Sequence, residues 1–103
     1  MKNFRTYQLA KELYFVCQGL KLPLHLKDQL DRASLSVCLN LAEGSAKFSA
    51  KDRVRFYQIA MGSLRESQAI LDIIQNEEAF KKADLVAASL FRLLQNPGPG
   101  LNP

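Results

Sequence analysis

The stretch AKDRVRFYQIAMGSLRESQAILDIIQ, residues 50–75, decides the fold. Its apolar residues recur at spacings of three and four. Phe56, Tyr57, Ile59, Ala60, Leu64, Ile70, Leu71 and Ile74 share one arc at about 100° per residue, with Ser63 and Ser67 in its middle. Arg55, Gln58, Arg65 and Asp72 fall on the other side. Nothing here alternates with the period of two that a half-buried strand needs. The spacing predicts a long amphipathic helix, and Ser49-Ala50-Lys51-Asp52 before it has the form of a capping box with Asp in place of Glu.

The flanking sequence follows the same period. Over 4–20, Tyr7, Ala10, Leu13, Tyr14, Cys17 and Leu20 line one side, while Phe4 and Phe15 point away. Gly19 and the Leu22-Pro23 step end that helix. A second helix is expected over 26–44, with Gly44 as its C′ residue. After 50–75, Asn76 is placed to cap a fourth helix over 77–95, with Glu77 and Glu78 in the first turn, where the helix dipole favours anions. Ala79, Phe80, Ala83, Val86, Ala87, Leu90, Leu93 and Leu94 form its apolar face. Four amphipathic helices with short connections imply an all-α fold, an antiparallel up-down-up-down four-helix bundle forming one domain over 1–95. A chain of 103 residues leaves no room for a second core. The Pro/Gly-rich tail, 96–103, cannot continue the helix and is expected to be mobile.

Composition removes several kinds of chemistry. At 48% apolar and 23% charged, the chain has the balance of an ordinary globular protein. There is one histidine, His25, expected at the surface, and there are two cysteines, Cys17 and Cys38. Neither CxxC nor HExxH occurs, and no ExxH pair is available for a di-iron bundle. The two cysteines allow one disulfide, but a cytoplasmic setting favours two packed free thiols. No run reaches the roughly 18 apolar residues of a membrane span, and the start lacks the pattern of a secretory signal, so the expected compartment is the cytoplasm. No catalytic residue, metal site or cofactor is expected. Glu43 and Glu66 lack the histidines or further acids of a metal or acid–base site, and Ser63 and Ser67 lack a base.

The net charge is +4, with pI near 9.3, which permits a nucleic-acid partner. The excess is uneven. Residues 1–60 hold ten basic and five acidic groups, against four and five over 61–103. The densest part is Lys47, Lys51, Arg53 and Arg55, opposed only by Asp52. Lys47, Lys51 and Arg55 with Phe48 nearby could contact phosphates and stack a base. Arg53 projects toward the core side of its helix and reads as structural, paired with Glu43.

The second helix has an unusual pattern. Gln29, Arg32, Ser36, Asn40 and Glu43 fall within about 80° of one another. Leu26, Leu30, Ala33, Val37 and Leu41 flank this stripe on one side, and Leu35, Cys38, Leu39 and Ala42 on the other. Either the stripe is a solvated face, or it lies in a seam of the bundle or between subunits. Lys27, Asp28, Asp31 and Ser34 occupy a sector better suited to water. In a seam, Arg32 and Glu43 are too far apart along the helix to pair with each other and need partners on the third helix, such as Glu66 or Arg53, because an unpaired buried charge is costly. Phe15, Leu35 and Leu85 lie outside the main arcs of their helices, which favours self-association through them.

Gln29-Leu30-Asp31-Arg32-Ala33, Ser36-Val37, Asn40-Leu41-Ala42-Glu43-Gly44, Arg53-Val54-Arg55-Phe56 and Ile59 through Glu66 carry a resemblance, together with Phe4 and Pro23. Over about residues 3 to 95 the chain resembles the small bacterial four-helix bundle proteins also called 23S ribosomal RNA intervening-sequence proteins. The resemblance implies an antiparallel bundle that assembles as a ring-like homopentamer. It also implies a genomic setting within large-subunit ribosomal RNA genes. A distant branch, the accessory proteins of diversity-generating retroelements, is basic and binds nucleic acid. The modest +4 charge and the Asn-Leu-Ala-Glu-Gly segment place this chain nearer the intervening-sequence branch. Two functions follow. One is a non-enzymatic oligomer that binds RNA or a ribonucleoprotein. The other is a protein–protein scaffold with no nucleic-acid role.

Overall fold

Four helices, α1 (Arg5–Gln18), α2 (Leu24–Ser45), α3 (Ala50–Ile73) and α4 (Glu77–Gln95), run antiparallel in sequence order in the computed structural model, which describes residues 4–98. Each helix packs on its two neighbours, and α4 closes the bundle against α1. The core is one apolar cluster built from all four helices, including Leu13, Leu30, Leu41, Leu64, Leu71 and Leu90, all fully buried. Each such leucine contributes about 1.5–3 kcal/mol relative to an exposed one.

The caps decide where α3 and α4 begin. The Ser49 side chain accepts from the Asp52 N–H at 3.1 Å, and the Asn76 side chain accepts from Ala79 N–H at 2.9 Å. α3 stops at Ile73, two residues earlier than its apolar period suggests. There the Asn76 N–H returns to the Leu71 carbonyl and the Gln75 N–H to the Asp72 carbonyl, both at 3.0 Å. This paired closure places Gln75 at φ 59, a left-handed position more often held by glycine. α2 begins at Leu24 because Pro23, just outside it, lends its carbonyl to the N–H groups of Leu26 and Lys27.

Three sequence expectations need correction. Phe4 precedes α1, so the helical wheel does not apply to it; its ring packs 6.3 Å from that of Tyr57. Gly44 does not end α2 but sits buried inside it, against α3. The sector of α2 assigned to water is only partly solvated: Asp28 is exposed, but the rest is not. Ser34 is fully buried, its hydroxyl donating to the Leu30 carbonyl at 2.8 Å, and Lys27 pairs with Asp31 in half-buried positions. Self-bonding to the preceding turn makes that serine's burial cheap.

Cys17 and Cys38 are buried free thiols. Burial, reinforced at Cys17 by the charge of Asp31, pushes both up to about 11 from 9.0. The folded state therefore favours the neutral thiol. Its stabilising effect is complete below pH 9.0 and is lost as the pH rises toward 11. Native protein at pH 8 should resist alkylation by iodoacetamide, while urea-unfolded protein should react at both cysteines. Mass spectrometry counts the adducts, and rapid native labelling would contradict this placement.

Candidate nucleic-acid interface

The antiparallel topology brings the start of α1, the end of α2, the start of α3 and the end of α4 to one end of the bundle. Arg5, Lys47, Lys51, Arg53, Arg55 and Arg92 sit there, against Glu43 and Asp52 only. The opposite end carries Lys21, Lys27, Lys81 and Lys82 against Asp28, Asp31, Asp72, Glu77, Glu78 and Asp84, with His25 exposed. The basic excess of the first sixty residues becomes, in the fold, a separation of charge from end to end. Arg5 and Arg92 were not among the sequence candidates, because only the packing of α1 and α4 brings them to this end.

The tip is the α2–α3 connection. Phe48 is 70% exposed and Lys51 is exposed one turn further along. Lys47 pairs with Glu43 at 3.1 Å and Arg55 with Asp52 at 3.9 Å. Both cations also lie over the ring of Phe56, at 5.0 and 4.8 Å from its centre. The ring therefore fixes where two of the charges stand. Exposed pairs of this kind are worth about 0–1 kcal/mol, so a phosphate can displace either carboxylate at little cost.

Arg53 behaves differently from its neighbours. It is 3% exposed, and it does not meet Glu43 as the sequence suggested. Its Nη1 donates to the carbonyls of Lys47 (3.1 Å) and Phe48 (2.8 Å), its Nε to that of Pro97 (3.0 Å), and its Nη2 to that of Gly98. One guanidinium thus ties the α2–α3 connection to the chain leaving α4. The start of the 96–103 tail is held here, and residues 99–103 lie outside the described residues.

The polar stripe of α2 runs along its seam with α3. Arg32 pairs with Glu66, the Ser36 and Ser63 hydroxyls share a hydrogen bond of 2.7 Å, and Asn40 donates to the Ser36 carbonyl at 2.9 Å and to its hydroxyl at 3.1 Å. Gln29 is exposed and takes no part. The seam is half-buried rather than dry. Beside it Leu35, Leu39 and Ile59 are exposed, while Phe15 and Leu85 stand exposed on α1 and α4. The three apolar residues singled out from sequence therefore lie on three helices. Leu39 shares the flank of α2 that carries Leu35 and is the more exposed of the two, while Ile59 was missed because it falls on an apolar arc that a helical wheel assigns to the core. Among the described residues no helix is long and apolar enough to cross a membrane, and no three His, Cys, Asp or Glu side chains gather to hold a metal ion.

A family model described as 23S rRNA-intervening sequence protein matches residues 4–92. The chain belongs to that family. No curated protein matches it.

Proposed function

We propose, from the premise that the chain is a 23S rRNA-intervening sequence protein, that it is a non-enzymatic, self-associating bundle that holds RNA against its basic end. The observation that carries this reading is the gathering of six cations against two carboxylates around the exposed Phe48. Lys47, Lys51 and Arg55 contact phosphates without reading sequence, and Phe48 stacks on an unpaired base. Self-association through the exposed apolar ridges, into the pentamer that the family resemblance suggests, repeats the patch on every subunit. Weak contacts then add through avidity.

Lys51→Glu combined with Arg55→Glu should weaken binding of a single-stranded RNA at least about tenfold, since two charges are reversed where phosphates sit. Lys81→Glu combined with Lys82→Glu, at the other end, should leave it nearly unchanged. Equal effects of both pairs would overturn the assignment of the site. Light scattering of the same samples should give a mass several times 11.6 kDa, falling on Leu39→Glu. The exposed Phe15, Leu35, Leu39 and Leu85 support a second reading, a protein scaffold. Self-association that persists with no retention of RNA would favour it.

A further inference from the structure

Arg53 carries a buried positive charge that no carboxylate neutralises among the described residues. Its guanidinium is satisfied by four backbone carbonyls instead, in two groups with different attachments. Nη1 holds Lys47 and Phe48, which belong to the connection between two helices. Nε and Nη2 hold Pro97 and Gly98, which belong to the chain leaving α4. Nε and Nη2 form the side-on edge of the guanidinium, where two parallel N–H donors match two oxygens of one phosphate or carboxylate. Two successive tail carbonyls occupy that edge.

We infer that the side-on edge of Arg53 is a phosphate site that the protein's own tail keeps closed. The Pro97 and Gly98 carbonyls stand in for two phosphate oxygens, and the tail and a phosphate compete for the same two donors. Three observations support competition over a permanent structural bond. The tail is joined to the bundle by a short link, since α4 ends at Gln95 and Asn96 has already left helical geometry at φ −139, ψ 81. Lifting residues 97 and 98 therefore leaves α4 whole. The Nη1 bonds to Lys47 and Phe48 do not depend on the tail, so the guanidinium stays in position when it departs. A phosphate brings the full negative charge that this buried cation lacks, adding a direct charge–charge attraction that the neutral carbonyls do not supply.

Gly98 supplies the means of testing this without altering Arg53. It turns at φ 88, a conformation open to glycine and strained for a β-branched residue. Gly98→Val in the full chain should weaken the tail's hold and free the edge. Inorganic phosphate should then bind about tenfold more tightly than to the parent chain. The NMR signal of the Arg53 Nε–H should move on titration with phosphate, and more so in Gly98→Val than in the parent. Arg53→Lys in the Gly98→Val chain keeps the charge but removes the fork, and should abolish the gain. If that double variant does not fold, the Nε–H signal alone decides. An Nε–H signal in Gly98→Val that phosphate leaves unmoved would overturn the site.

The phosphate site stands apart from the RNA reading except for where its phosphate comes from. A single-stranded RNA that gains affinity in Gly98→Val alongside inorganic phosphate would identify the source as an RNA backbone. A shift with inorganic phosphate and none with RNA would keep the site and overturn the RNA reading. RNA binding that depends on Lys51 and Arg55 but is untouched by Gly98→Val, with the Nε–H unmoved, would keep the RNA reading and overturn the site.

Discussion

Gly44→Ala should destabilise the bundle by about 1–2 kcal/mol, although alanine is the better helix former. A Cβ at position 44 would lie 2.7 and 2.9 Å from two carbons of the Tyr57 ring and 3.0 Å from the Phe56 Cβ. The ring cannot yield easily, because Tyr57 is 2% exposed and packs against Phe4. Relief requires α2 and α3 to move apart along their shared seam, an overpacking cost of roughly 1–3 kcal/mol. The gain in helix propensity is at most about 1 kcal/mol, so the clash wins. Gly62 gives the matched control. It is exposed in the middle of α3, and a Cβ there meets nothing within 4 Å. Gly62→Ala should therefore stabilise by up to about 1 kcal/mol. In a Tyr57→Ala background the penalty at 44 should shrink, leaving only the approach to the Phe56 Cβ. Urea denaturation of the parent and the four variants measures this, and equal stabilisation by both glycine replacements would show that no close approach exists at Gly44.

Arg53→Leu should cost about 2–4 kcal/mol. Leucine removes a buried cation that has no counter-charge, and that alone would be favourable. Against this, the carbonyls of Lys47, Phe48, Pro97 and Gly98 all lose their donor. The tail carbonyls can turn to water, whereas those of Lys47 and Phe48 lose partly buried bonds beside the start of α3. Unsatisfied buried carbonyls cost about 1–3 kcal/mol each and do not add simply, so the loss outweighs the gain. Arg53→Lys should recover only part, because one ammonium cannot span acceptors on two segments. Thermal unfolding followed by circular dichroism checks this; a change below about 0.5 kcal/mol would mean that the guanidinium is an ordinary surface group.

The helix starts at Ser49 and Asn76 were legible because an N-cap is a local event: side chain and target lie three residues apart. The fold followed from helical periodicity, which alone carries the count and order of the helices. The rotation of α2 about its axis was not legible. With apolar residues on both sides of its polar stripe, the wheel fits two orientations, and Ser34 hides its polarity by bonding to its own helix. Gly44 looked like a helix end because its reason for being glycine, Tyr57, is distant in sequence. Arg53 was placed on the inner side correctly, but backbone carbonyls leave no mark in a sequence, so Glu43 was the only visible partner. Lys47, Phe48, Lys51 and Arg55 could be read as a group since they are nearly contiguous. Arg5 and Arg92 join them only through the packing of α1 and α4.

The salt dependence of RNA binding by the full chain tests the central claim most directly. Each phosphate contact on a single strand contributes a slope of about −0.7 in log affinity against log salt concentration. Lys47, Lys51 and Arg55 engaging together predict a slope of about −2 or steeper, made shallower by Lys51→Glu and Arg55→Glu but not by Lys81→Glu or Lys82→Glu. A slope near zero, or one that responds equally to changes at both ends of the bundle, would contradict the account.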